Sequence, residues 1–162
     1  MEIKIFNEKD IQKFKTNKKH IVISIQDPNS NFVKLPKQKS RIGWLGLQFY
    51  DLDKDTGYFP YGGAYDGTLF HRIIPNFMIH RFLFEFNHAK HILEFVGFHK
   101  NNINLVIINC VAGISRSAGV AGALSKILNN DDSYYFKHYC PNMRVYRTIL
   151  EEYYNNVKMY QM

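Results

Sequence analysis

Hydrophobic and polar positions along the chain predict alternating strands and helices. Four short runs rich in β-branched and aromatic residues are typical of strands, and they cover residues 3–6, 20–25, 42–49 and 105–108. Amphipathic or small-residue segments predict helices at residues 8–14, 87–98, 120–128, 133–139 and 143–154. On the helix at 87–98, one stripe should face the core: Ala89, Ile92, Leu93, Val96 and Gly97. This order favours an α/β fold, a central mostly parallel sheet flanked by helices.

Length and composition add limits to this picture. The 162 residues fit a single domain, 1–162, and no apolar run approaches the length of a membrane span. No signal-peptide pattern opens the sequence. Two cysteines cannot form a disulfide framework, so we expect a reducing, cytoplasmic location. The net charge of +7 predicts attraction to anionic partners without choosing among phosphoproteins, lipid head groups and nucleic acids.

Residues 54–84 depart from the regular pattern and are interpreted as an insert. They are rich in glycine and aromatic residues. At this length, part of the insert should be ordered. The histidines His71, His80, His88 and His91 lack cysteine or carboxylate partners at convincing spacing, so we predict no metal site.

Residues 109–119 lie between the last predicted strand and the helix at 120–128, and they hold the candidate chemistry. A loop that feeds a helix gathers backbone N–H groups near the positive end of the helix dipole. Cys110 and Arg116 stand at the two ends of this loop. The amides, the dipole and the guanidinium all favour a thiolate at Cys110. The same groups can bind a phosphate dianion.

The sequence from Cys110 to Ser117 resembles the C-x5-R-[S/T] signature of cysteine-based protein tyrosine phosphatases. The Ala112-Gly113 pair and the run at 115–117 are most similar to the compact, dual-specificity-like branch. The resemblance covers about residues 21–154, apart from the insert. It implies a phosphatase-like α/β fold with the phosphate-binding loop between a central strand and a helix.

The resemblance implies a hydrolase that dephosphorylates proteins through a phosphocysteine intermediate. Cys110 would attack phosphorus, Arg116 would hold phosphate oxygens, and Ser117 would donate a hydrogen bond to the departing thiolate. The substrate-binding residues would be Val111, Ala112, Gly113, Ile114, Ser115 and Arg116. The substrate would be a protein carrying phosphotyrosine, or phosphoserine and phosphothreonine as well, and no cofactor is needed.

A general acid must protonate the leaving oxygen as the P–O bond breaks. In the family it comes from a loop after a strand upstream of the cysteine, and residues 47–51 resemble that position. Asp51 is therefore the first candidate and Asp53 the second. Asp55 and Asp66, in the insert, remain further candidates.

Asn109 stands where the family usually has histidine. Asparagine can form hydrogen bonds but cannot carry the positive charge that supports a thiolate. One alternative is therefore a weak or inactive module that binds phosphate or phosphotyrosine without turnover.

Two more alternatives remain. An RNA 5′-phosphatase of the same superfamily fits the basic charge, although Ala112 and Ile114 resemble protein phosphatases instead. A thiol redox role is disfavoured because no second cysteine lies near in sequence. We expect Cys140 to be half-buried and structural.

Two basic clusters are open to interpretation. Lys13, Lys15, Lys18 and Lys19 are more typical of a solvated face than of a binding site. The basic loop at 34–41 either aids solubility or forms a rim that draws in acidic substrates.

Overall fold

A computed structural model describes residues 1–52 and 83–160 of the chain. Most of the predicted insert falls outside the described residues. So do several individual candidates: Asp53, Asp55, Asp66, His71 and His80.

The described strands form one sheet in which every pair is parallel. They are β1 (Glu2–Phe6), β2 (His20–Gln26), β3 (Arg41–Gln48) and β4 (Leu105–Asn109). The order across the sheet is β1-β4-β2-β3, so that β4 pairs with both β1 and β2. Parallel strands buried on both faces need continuous apolar sequence, and all five residues of β4 are buried. The predicted α/β class is confirmed.

The described helices follow the predicted pattern with changed ends. They are α1 (Glu8–Ile11), α2 (Phe86–His99), α3 (Arg116–Asn129), α4 (Ser133–His138), α5 (Met143–Asn155) and α6 (Val157–Tyr160). Asn7 caps α1, and its side chain accepts a hydrogen bond from the Asp10 N–H at 2.8 Å. The helix nevertheless ends at Ile11 instead of residue 14, because the next residues continue in tighter turns. The short helix α6 was not predicted.

The principal core lies between the sheet and helices α2, α3 and α5. The stripe predicted on α2 is confirmed at Ala89, Ile92, Leu93 and Val96, which are fully buried. Gly97 is the exception, because a Cβ built there would meet no atom within 4 Å. A smaller cluster, to which α1 contributes Ile11, covers the other face of the sheet. In the part of the chain described above, none of the helices combines the length and apolarity needed to cross a membrane.

Parallel topology brings the carboxyl ends of the strands to one edge of the sheet. Asp27 follows β2 directly, Asp51 lies three residues beyond β3, and Cys110 follows β4. These residues share that edge although they are far apart in sequence. The strand starts, His20 and Arg41, lie at the opposite edge.

Candidate active site

The loop after β4 turns directly into α3. The helix begins at Arg116, four residues before the predicted start, and its first turn is closed by a hydrogen bond from Gly119 N–H to the Ser115 carbonyl at 2.8 Å. The polar run at 115–117 suggested a longer loop, but these residues are buried. The helix N-terminus therefore lies closer to Cys110 than the sequence pattern predicts.

Cys110 is buried, with 2% of its surface exposed. Its Sγ atom accepts a hydrogen bond from the Gly113 N–H at 3.3 Å and lies 3.1 Å from the Ser117 hydroxyl. A backbone amide and a hydroxyl thus both contact the sulfur from within the same loop. Both groups can stabilise a negative charge on sulfur.

Gly113 allows the loop to close tightly around the thiol. Its φ of 68° lies in the left-handed region, where side chains are strained. A Cβ there would also come within 2.7 Å of the Asn7 backbone nitrogen. The adjoining segment is tied to the loop by a hydrogen bond from Glu8 N–H to the Val111 carbonyl at 3.3 Å. The backbone at Asn7 and Glu8 thus packs directly against the loop.

Arg116 is buried, with 5% of its surface exposed, and one side of its guanidinium group is anchored. Its Nη1 donates to Asp27 Oδ1 at 2.7 Å and to the Phe49 carbonyl at 2.8 Å. Its Nε is buried and has no partner among the residues the structure describes. Leaving a buried N–H without a hydrogen-bond partner costs free energy. An anionic ligand that accepts a hydrogen bond from this Nε would remove that cost.

Asp51 is joined to the loop through one oxygen. Asp51 Oδ1 accepts hydrogen bonds from the Ser115 hydroxyl and from Asn142 Nδ2, each at 2.8 Å. Asn142 is buried and also caps α5, since its Oδ1 accepts from the Val145 N–H at 3.0 Å. The first candidate acid therefore lies beside the loop and is held by one residue of that loop and by the cap of α5.

The remaining loop residues divide into an outer and an inner set. Val111, Ala112 and Ile114 are exposed, whereas Gly113 and Ser115 are buried. The outer residues give the loop an apolar rim.

Asn109 is fully buried at the end of β4. Its Oδ1 accepts a hydrogen bond from the Ser24 hydroxyl at 2.8 Å, and that hydroxyl in turn accepts one from Trp44 Nε1 at 3.1 Å. Asn109 Nδ2 has no partner within residues 1–52 and 83–160. A chain of polar contacts across three strands thus fixes the residue that precedes Cys110.

His88 packs against Phe49, whose carbonyl accepts the hydrogen bond from Arg116 Nη1. Its ring lies 5.6 Å from the Phe49 ring and 5.4 Å from the Phe84 ring, and its Nδ1 accepts a hydrogen bond from the Glu85 N–H at 3.0 Å. Burial lowers the pKa of His88 below its ordinary value, with the charge of Glu85 opposing the shift and that of His91 adding to it. Among the described residues, no group of three histidine, cysteine, aspartate or glutamate side chains is placed to hold a metal ion.

Cys140 corrects one prediction. It is exposed rather than half-buried, because α4 ends at His138 and the chain passes over the surface before α5. Its N–H donates to the Ile114 carbonyl at 3.3 Å, so the α4–α5 connection contacts the loop at 110–115 through the backbone.

Two residues, Asp27 and Asn142, were not assigned to the site from the sequence. Asp27 begins a turn, in which the Ser30 N–H donates to the Asp27 carbonyl at 3.1 Å. The available signal was its place directly after a buried strand, at the carboxyl edge of a parallel sheet. Asn142 carried only the pattern of a helix cap.

The comparisons with known proteins bear on the α/β fold described above. No family model matches the sequence, and no curated protein does. The solved structure of the human tyrosine phosphatase-like serine/threonine/tyrosine-interacting protein is similar, with 17% identity and a TM-score of 0.53. The match covers 97% of this chain and 93% of that chain. At this identity the likeness establishes the phosphatase-like fold alone.

Proposed function

We propose that the protein is a cysteine-dependent phosphoric monoester hydrolase acting on phosphorylated proteins. One observation carries the proposal: the buried Cys110 sulfur contacts both the Gly113 N–H and the Ser117 hydroxyl. The buried Arg116 Nε, without a described partner, supports it, because its N–H can pair with a phosphate oxygen.

In the proposed reaction, the Cys110 thiolate attacks phosphorus in line with the leaving oxygen. As the S–P bond forms and the P–O bond breaks, Arg116 and the loop amides hold the equatorial oxygens. Asp51 gives its proton to the leaving oxygen, and Oδ2 is suited to carry it because both contacts to the carboxyl group fall on Oδ1. Water then attacks the phosphocysteine and gives a proton to Asp51. Ser117 donates to the departing thiolate, and inorganic phosphate leaves.

The role of Asp27 in this scheme is to position Arg116. By occupying Nη1 together with the Phe49 carbonyl, it turns the remaining edge of the guanidinium toward the ligand. An anchored guanidinium group loses less conformational freedom on binding phosphate than a mobile one does.

Hydrolysis of a small aryl phosphate in the presence of a chelator tests the proposal. We expect turnover by the wild type and essentially none by Cys110→Ser. Arg116→Lys keeps the charge but not the two-pronged geometry, so it should retain more activity than Arg116→Ala while staying well below the wild type. Wild-type rates in Cys110→Ser would refute the mechanism.

A binding module without turnover is the second candidate, and Asn109 is the observation that favours it. Its side chain is uncharged and bonded to Ser24, so it supplies no positive charge beside the thiol. Tight binding of a phosphotyrosine peptide, with no phosphate released by the wild type, would select this candidate over the enzyme.

A further inference from the structure

A groove lined by basic and polar side chains lies away from the phosphate loop. Its volume is about 430 Å³. We call it the lysine groove, and its lining residues are Lys15, Thr16, Asn17, Lys19, Gln38, Lys39 and Ser40. The two basic segments of the sequence, which are separate along the chain, meet here.

Hydrogen bonds between the two segments hold the groove in shape. Gln38 accepts from the Thr16 N–H at 2.8 Å and donates to the Phe14 carbonyl at 3.1 Å. The Ser40 hydroxyl donates to the Thr16 carbonyl at 2.6 Å. The groove is therefore built by specific contacts, and a ligand would not have to order it on binding.

Within residues 1–52 and 83–160, no ion pair neutralises the charge of the groove. Lys15, Lys19 and Lys39 are exposed, and no carboxylate of a described residue forms an ion pair with them. The neighbouring Lys18 differs, since it pairs with Glu2 at 2.6 Å. Three uncompensated cations around one concave surface create a local attraction for an anion.

We propose that the lysine groove binds an acidic segment of a protein partner. Carboxylates would pair with the lysines, and the polar side chains would meet the backbone of the segment. Among the described residues that line the groove, none is aromatic, so none offers a surface on which a nucleic-acid base could stack. None of these lining residues is a large apolar residue that could enter a membrane surface either.

The position of the groove separates it from the candidate active site. Ser40 precedes β3 and Lys19 precedes β2, so the groove lies at the edge of the sheet where strands start. The loop at 110–115 lies at the other edge, about 20 Å away for a strand of this length. A partner held in the groove leaves Cys110 accessible, and this binding does not depend on the proposed hydrolysis. The end of the basic loop, at Gln38, Lys39 and Ser40, thus contributes to this separate surface.

Fluorescence anisotropy with a labelled oligoglutamate peptide tests the proposal. The test variant combines Lys15→Glu, Lys19→Glu and Lys39→Glu. The control combines Lys9→Glu, Lys137→Glu and Lys158→Glu, which are exposed lysines elsewhere and change the net charge equally. We expect affinity to fall about ten-fold or more in the test variant and about two-fold or less in the control. Cys110→Ser should bind like the wild type.

Three results would overturn the proposal. Equal losses in both triple variants would mean that the peptide senses only the net charge. Tighter, groove-dependent binding of a single-stranded RNA of equal charge would assign the groove to nucleic acid. Groove-dependent binding of phosphatidylserine vesicles, with none of the peptide, would assign it to a lipid surface. Melting temperatures of both variants, matched to the wild type, ensure that folded proteins are compared.

Discussion

The hydroxyl of Ser115 donates a hydrogen bond to Asp51, a residue 64 positions earlier in the chain. This contact joins the loop after β3 to the loop around Cys110, and Asn142 adds a second donor to the same oxygen. Asp51 therefore has two separable properties: it accepts two hydrogen bonds, and it can carry a proton. Replacements at this position can remove one property without the other.

Asp51→Asn should keep the contacts and lose the acid, because an amide oxygen still accepts from Ser115 and Asn142. We expect hydrolysis of phosphotyrosine to fall by about 10²–10⁴-fold, with a smaller loss for esters of good leaving groups. Steady-state kinetics on both substrate types measures the difference. Equal losses on both types, or a larger loss from Asp53→Asn, would place the acid elsewhere.

Asp51→Ala is the matched comparison, since it removes the contacts too. Two donors would lose their acceptor, so we expect a free energy of unfolding about 1–3 kcal/mol below that of Asp51→Asn. Urea denaturation of the two variants gives this number. Equal stability would show that the Ser115 and Asn142 contacts do not hold the loop.

Asn109→His should introduce a group that can carry positive charge next to Cys110 and so favour the Cys110 thiolate. We expect iodoacetamide to alkylate Cys110 faster at mildly acidic pH in this variant than in the wild type. The exposed Cys140 must be replaced by serine in both proteins, so that only one thiol reacts. Identical alkylation rates in two folded proteins would contradict the electrostatic role assigned to position 109.

His88 should make the fold less stable in mild acid. Burial lowers its pKa, so the unfolded chain takes up a proton first as the pH falls through the ordinary value of 6.5. The stability that His88 contributes is fully present above that pH and is lost as the pH falls toward the lowered value. Protonation of Nδ1 would also remove the acceptor for the Glu85 N–H.

Urea denaturation at neutral pH and about one unit below 6.5 measures this effect. His88→Gln should lose less stability between the two conditions, because a glutamine oxygen can accept from Glu85 without titrating. His138→Gln, which removes an exposed imidazole on α4, should behave like the wild type. An unchanged pH dependence in His88→Gln would contradict the assignment.

Two glycines should respond oppositely to alanine. Gly113→Ala places a Cβ against the backbone of Asn7 at a positive φ, so we expect a loss of about 1–3 kcal/mol in the free energy of unfolding. Gly97→Ala lies in a helix with open space around the Cβ and should gain about 0.5–1 kcal/mol. Thermal denaturation checks both, and a stable Gly113→Ala variant that binds phosphate normally would refute the account of the loop.

The sequence predicted those parts of the molecule that depend on local patterns. The strands and the loop from Cys110 to Arg116 each follow from residues close together in the chain. The anchor of Arg116 could not be predicted in the same way, because Asp27 is 89 residues away and meets it only through the parallel topology. Asn142 reaches Asp51 across 91 residues for the same reason. The exposure of Cys140 depends on where α4 ends, and no local pattern determines it.

Trp44, the one tryptophan in the sequence, gives the protein an internal optical probe. The residue is 46% exposed, and its indole packs against Phe32. Hydrogen bonds through Ser24 connect the indole to Asn109, the residue before Cys110. Indole emission shifts with hydrogen bonding and hydration, so a rearrangement around Asn109 that alters the Ser24 contact changes the emission spectrum without any added label. Under the proposed function, we expect oxyanion binding in the loop to change this emission in stopped-flow fluorescence, and Ser24→Ala should disconnect the signal.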